Sequence, residues 1–147
     1  TLGDRRGEGF CLLGFADIAR DQNDAATLQA HADEALAIGR AIRQPWVEGI
    51  ALNNLALAAL MERDLERATA LGEAALALFQ MHDIRGGVVE LLVTTGQIAA
   101  AAGESERAWA RLAEGVRRGW PGGGASTTGV AVGIISASDE ISWRRSG

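Results

Sequence analysis

Residues 49–56, Gly-Ile-Ala-Leu-Asn-Asn-Leu-Ala, and residues 64–79, Asp-Leu-Glu-Arg-Ala-Thr-Ala-Leu-Gly-Glu-Ala-Ala-Leu-Ala-Leu-Phe, decide the fold. In both, apolar and small side chains recur at three- and four-residue spacing, the period of one face of an α-helix. The spacing predicts a helix A near residues 47–61 and a helix B near residues 65–80. Asp64 is placed to cap the free amides at the start of helix B. The many alanines have a packing reason, since a helical hairpin needs small residues where backbones approach and large ones between. Ala56, Ala59, Ala68 and Ala75 are the expected close contacts, and Leu52, Leu55, Leu71, Leu76 and Phe79 the expected core.

Working outward, the same pattern returns at a shift of 40 residues on either side. Gly9, Leu12, Ala19, Asp24, Ala30, Ala35, Leu36 and Ala37 recur as Gly49, Leu52, Ala59, Asp64, Ala70, Ala75, Leu76 and Ala77. Downstream, Leu52, Ala59, Glu66-Arg67-Ala68 and Ala70 recur as Leu92, Ala99, Glu106-Arg107-Ala108 and Ala110. A fixed period in this range signals a solenoid of stacked two-helix units. Asp24 can cap helix B of the first copy as Asp64 does in the second. Pro45 suits the first turn of a helix A, and Gly39, Gly86 and Gly87 fall at helix ends or in the joints. The expectation is an all-α array of about three helix–turn–helix repeats, roughly 4–43, 44–83 and 84–120, within an array domain of residues 1–120. One copy buries too little apolar surface to fold alone, so the copies stabilise one another.

Composition excludes several functions. The chain has 147 residues, 19 acidic against 14 basic, for a net charge of −5, and no polybasic block, so direct binding to nucleic acid is not expected. Every strongly basic residue is an arginine; without lysine there is neither a P-loop lysine nor a Schiff base. A single cysteine permits no intrachain disulfide and no cysteine-based zinc site, which suits a cytoplasmic protein. No apolar run is long enough for a membrane span, and no signal peptide is evident. No cofactor is expected. The chain opens at Thr1 in what reads as a joint between repeats, and is expected to be a piece of a longer protein.

The residues that carry the repeat also carry a resemblance. With Gly49 as the first position, Leu52, Leu55, Ala56, Ala59, Ala68, Gly72 and Ala75 fall on the signature columns of the tetratricopeptide family. Copy one supplies Leu12, Phe15, Ala16, Ala19, Leu28, Ala32 and Ala35 there, and copy three Leu92, Thr95, Gly96, Ala99, Ala108, Leu112 and Gly115. The family's usual tryptophan and tyrosine are missing, and the period exceeds the usual 34. The 49–56 and 64–79 phrases resemble the MalT-like tetratricopeptide region of bacterial LuxR/MalT-type transcriptional regulators. The resemblance covers roughly residues 3–120 and implies a right-handed α-solenoid. It implies a protein-protein interaction scaffold, the sensor or regulatory region of a larger regulator, and no enzyme. The alternatives are a small-ligand-sensing repeat domain and, remotely, a helical enzyme.

The resemblance also implies where a partner would bind, in the groove lined by the A helices. Phe10, Leu13 and Asp17 of copy one, Ile50, Asn53, Asn54 and Leu57 of copy two, and Glu90, Val93 and Gln97 of copy three would line it. Asn54 falls on a column where the family often uses asparagine to hold a peptide backbone, and an amide can both donate and accept. The bland reading of Asn53 and Asn54 is two solvated helix residues. The partner would be a protein or peptide, including other domains of the parent chain. Self-association through uncapped repeat ends is a further expectation.

The remaining candidates have bland readings. Cys11 reads as a small core hydrophobe. His31 and His82 read as surface or interface residues without partners at ligand spacing. The pairs Asp33-Glu34 and Asp139-Glu140 point to different sides of a helix and read as solvated faces. Trp46 and Trp109 are expected to pack against neighbouring repeats, whereas Trp120 and Trp143 lie beyond the array. From Gly119 the sequence turns to Gly-Trp-Pro-Gly-Gly-Gly-Ala-Ser-Thr-Thr-Gly, a linker. Residues 121–147 are read as an irregular C-terminal tail, either part of a fourth, atypical repeat, since Gly129, Val132 and Ile135 keep register with Gly49, Leu52 and Leu55, or a loosely ordered end.

Overall fold

The computed structural model describes residues 2–118, and among them it contains six helices and no strand. These are α1 (Leu2–Asp21), α2 (Ala25–Ala41), α3 (Pro45–Met61), α4 (Leu65–Met81), α5 (Val88–Ala101) and α6 (Ser105–Arg117). They form three hairpins, α1–α2, α3–α4 and α5–α6, each packed on the next. Helix A of the second copy begins two residues earlier than expected, because Pro45 occupies its first turn, where no amide partner is needed. Trp120, Trp143, Asp139-Glu140 and the tail lie outside the described residues.

One turn design is used at every joint. Asn23, Arg43, Arg63, Asp83 and Gly103 all have positive φ, between 50° and 79°. After each, an amide returns to the carbonyl five residues back: Asp24 to Ala19, Gln44 to Gly39, Asp64 to Ala59, Ile84 to Phe79 and Glu104 to Ala99, all at 2.9 Å. This left-handed stop satisfies carbonyls that the helix end leaves free. It brings the chain directly into the next cap. The Asp24 carboxylate accepts from the Thr27 amide at 3.1 Å and from its hydroxyl at 2.6 Å, and the Asp64 carboxylate accepts from the Arg67 amide at 3.2 Å. Its hydrogen bonds with Thr27 hold the Asp24 carboxyl below the usual aspartate range.

The two joints between hairpins are plugged in opposite ways. Between the first and second, Val47 of α3 enters a gap floored by Gly9 and Gly39; a Cβ on either glycine would lie 3.3 or 3.2 Å from the valine methyl. Gly39 also lets the α3 backbone close in, since its Cβ would stand 2.9 Å from the Glu48 nitrogen. Forty residues on, Gly39 becomes Phe79 and Val47 becomes Gly87. The plug now comes from the outgoing helix, with the fully buried Phe79 ring lying on Gly49, where any Cβ would overlap it. Gly87 closes the other side of the ring with φ of 93°, the left-handed conformation glycine adopts without strain. The ring displaces the first turn of α5, which therefore starts at Val88, and α4 packs on α5 much less extensively than α2 on α3. A cleft of about 530 Å³ opens beside it, lined by Ile84, Val88, Val89 and Arg118 among others. Glu73 of α4 spans this joint, accepting from Arg107 at 2.9 Å and Arg111 at 3.0 Å on α6.

The expected close contacts Ala56, Ala59, Ala68 and Ala75 are all fully buried, and Leu52, Leu55, Leu76 and Phe79 belong to the core. Leu71 is only half-buried, packed at its margin. Two expectations are corrected. Cys11 is exposed, not a core residue. In α3 the matching position, Ala51, is buried, whereas among the described residues no further hairpin packs on α1 to cover Cys11. Trp109 is exposed rather than packed on a neighbour, because Ala108 and Leu112 form the buried face of α6 and Trp109 is turned away from it. Trp46 is half-buried and meets Phe10, ring centroids 5.3 Å apart, as expected. His31 is half-buried beside Phe15, and His82 is exposed at the end of α4.

Candidate functional site

The A helices line the inner side of the array. Helix α3 packs on both α1 and α5, whereas the B helices α2, α4 and α6 keep their backbones apart. A stack that is close on one side and spread on the other curves toward the close side, so α1, α3 and α5 form the concave wall. On α3, Ala51 and Ala58 face the first hairpin, and Leu52, Leu55 and Ala59 face α4. The 3.6-residue period then turns Ile50 and Leu57 inward, with Asn54 and Asn53 flanking them toward α1 and α5 respectively.

The amides are the unusual feature. Asn53 and Asn54 are both fully buried, and neither oxygen nor nitrogen of either side chain has a hydrogen-bond partner. This corrects the solvated reading. Unmatched buried amides are costly, typically about 1–3 kcal/mol each, and native structures contain few of them. Leu13, Ile50 and Val93 are buried with them. Leu57, Asp17 and Gln97 are half-buried, and Phe10 and Glu90 are exposed. Phe10 is displaced from the centre of the wall toward Trp46, with the Arg6 guanidinium 5.8 Å from its ring centroid.

The wall is bridged between α1 and α5. Arg20 of α1 lies 3.7 Å from Glu90 of α5 and 3.5 Å from Asp17, with Asp21 at 3.8 Å. By the 40-residue register Asp17 holds the place of Leu57 and Glu90 that of Ile50, so a line joining them crosses α3 at the level of Asn53 and Asn54. About half of each carboxyl-bearing side chain remains accessible, 51% for Asp17 and 46% for Glu90. The protein around the other half still shifts their titration. Burial pushes the Glu90 carboxyl up, against the attraction of Arg20 and with the help of Asp17. Burial likewise raises Asp17, opposed by Arg20 and assisted by Asp21. One guanidinium thus serves three carboxylates, too little to neutralise them.

Through Arg20 the structure brings Asp17 and Glu90 together, and the 40-residue register sets that pair level with Asn53 and Asn54 of α3. Arg20 and Asp21 belong with them and were missed in the sequence. The local signal was the three-residue step from Asp17 to Arg20; the partner on α5 has no local signal. Among the described residues no cluster of histidine, cysteine and acidic side chains could hold a metal ion, and no helix is long and apolar enough to cross a membrane.

No family model matches the chain, and neither does any curated protein. A solved structure does: the tetratricopeptide domain of the Arabidopsis protein FLU, at a TM-score of 0.70 over 78% of this chain and 96% of that one, with 15% sequence identity. The fold is a tetratricopeptide-type helical repeat. At that identity the likeness extends to the path of the backbone, and the groove residues have to be read on their own chemistry.

Proposed function

We propose that the chain is a protein-protein interaction scaffold that receives a peptide segment of its partner along α1, α3 and α5, and that it does no chemistry of its own. The observation that carries the reading is the Asn53-Asn54 pair, two buried amides without partners on the inner wall of a fold that generally mediates protein binding. A peptide backbone offers the alternating donors and acceptors these groups lack. The wider reading follows the sequence resemblance: the array is the sensor or regulatory region of a larger bacterial regulator, and the partner is a protein or another domain of that regulator. The exposed stripe Cys11, Phe15 and Ile18 on α1 supports self-association through an uncovered repeat face.

The test is selection of random displayed peptides on the full chain. Selected peptides should shift the side-chain NH₂ resonances of Asn53 and Asn54 and lose binding to the Asn53→Leu/Asn54→Leu variant. A selection that yields no binder, or only binders indifferent to that variant, removes the groove reading. Translating the DNA on either side of the coding segment tests the wider one, which predicts an upstream NTPase module and a downstream helix-turn-helix.

A further inference from the structure

We infer that the groove selects a peptide carrying a lysine or arginine, whose cationic head takes the place of Arg20 between Asp17 and Glu90 while Asn53 and Asn54 hold the backbone beside it. The inference rests on the peptide-groove reading and adds the chemistry of the ligand to it. Two independent observations carry it. The first is charge: Asp17, Asp21 and Glu90 converge on one guanidinium from two different helices at 3.5–3.8 Å, and the Arg20–Glu90 contact, 3.7 Å, runs from the first hairpin to the third. The second is the unpartnered amide pair of α3, fully buried and, by the 40-residue register, level with the bridge.

Arg20 then acts as an internal stand-in for the ligand. Its longest contact, 3.8 Å, and even its 3.5 Å contact to Asp17, exceed the separation of well-made charge-assisted hydrogen bonds, about 2.7–2.9 Å. An incoming guanidinium or ammonium of free orientation can come closer. Because the groove is acidic, a carboxylate-bearing peptide end meets repulsion where a basic side chain meets attraction. The bound cation also relieves the surplus negative charge that helps raise Asp17 and Glu90.

The experiment uses the peptides selected on the full chain and three near-isosteric variants, Asp17→Asn, Glu90→Gln and Arg20→Gln, each checked for wild-type helix content and a cooperative melt. Selected peptides should share a basic residue, and replacing it with citrulline or norleucine should weaken binding about fivefold, the scale of a partly exposed ion pair. That loss should shrink to nothing in the Asp17→Asn/Glu90→Gln double variant. Arg20→Gln should tighten binding severalfold, because it removes the internal competitor. Peptides that need Asn53 and Asn54 but no basic residue would overturn the cation assignment and leave the groove reading in place. Weaker binding to Arg20→Gln would also overturn it, by making Arg20 a contact for an anionic ligand. Peptides indifferent to the amides would remove both readings.

Discussion

Gly49→Ala and Gly14→Ala should move stability in opposite directions, although both replace a helical glycine by the best helix former. At Gly14 a Cβ meets nothing within 4 Å. The substitution should therefore show its propensity gain alone, about 0.8–1 kcal/mol. At Gly49 the same atom overlaps the Phe79 ring, which is fully buried and cannot retreat, because Gly87 already lies against its far side, at 3.0 Å from a Cβ built there. Overpacking of this kind costs about 1–3 kcal/mol, here at the upper end, leaving a net destabilisation of about 2 kcal/mol after the propensity gain. The two variants should differ by about 3 kcal/mol in urea unfolding followed by circular dichroism. Phe79→Leu should lower stability by itself, yet adding Gly49→Ala to it should do less harm than in the wild type, a coupling of about 1–2 kcal/mol between touching residues. If Gly49→Ala proves as stabilising as Gly14→Ala, the ring does not plug this joint and the account of why α5 starts late is wrong.

Four other outcomes are expected. Asn53→Leu and Asn54→Leu, which keep the branched outline without the polar atoms, should each raise stability by about 1–3 kcal/mol while abolishing peptide binding; a loss of stability on denaturant titration would mean the amides have partners. Glu90→Gln tests the raised carboxyl. A folded-state pKa above the unfolded one means that the native chain holds the proton more tightly, so the group's contribution to stability falls as pH rises through the window above the ordinary glutamate value of about 4.3. The variant's melting temperature should accordingly exceed the wild type's at neutral pH and meet it in acid, and a gap that persists in acid would contradict the assignment. Arg63→Gly should stabilise by about 1 kcal/mol, because its φ of 64° strains a residue with a Cβ, and Gly103→Ala should destabilise by a similar amount, both read from thermal melts. Phe15→Glu with Ile18→Glu should leave the chain monomeric by light scattering at concentrations where the wild type associates.

What could be read from the sequence was whatever depends on near neighbours and on the repeat. Asp24 and Asp64 announced themselves as caps, and the alanine columns as close contacts, because a helix period of 3.6 and a copy 40 residues away suffice to place them. The turns were less open. Arg43 and Arg63 adopt the left-handed conformation without the glycine or asparagine that usually signals it; Asn23 and Gly103, 40 residues to either side, hinted at it for Arg63, whereas Asp83, the counterpart of Arg43, carries no such mark. Burial of Cys11 and Trp109 depends on which hairpin lies against them, and a residue's own surroundings in the sequence do not say. The inner column containing Asn53 and Asn54 was recognisable, but their complete burial depends on how α3 packs against the helices of the neighbouring hairpins, which no local pattern states. Arg20 and Glu90 meet across an entire repeat, and neither residue carries a mark of the other.

Two kinds of departure from a regular repeat are present, and they differ in what they do to stability. At the joints the departures compensate: glycine and valine in one place answer phenylalanine and glycine in the other, and the gap is filled either way. Such exchange is what a solenoid tolerates, since each interface has only to match its own two faces. On the inner wall nothing compensates. Asn53 and Asn54 lack partners, and the carboxyls of Asp17 and Glu90 are raised by burial, although Leu13 and Val93 show that an apolar residue fits the column of Asn53, Leu57 that one fits the column of Asp17, and Ile50 that one fits the column of Glu90. A chain selected for folding alone would lose these groups if, as predicted above, their removal stabilises. Their concentration on one wall, bridged by one arginine, is the reason the proposed groove is set there and not in the cleft beside Phe79, which the bulk of the ring accounts for.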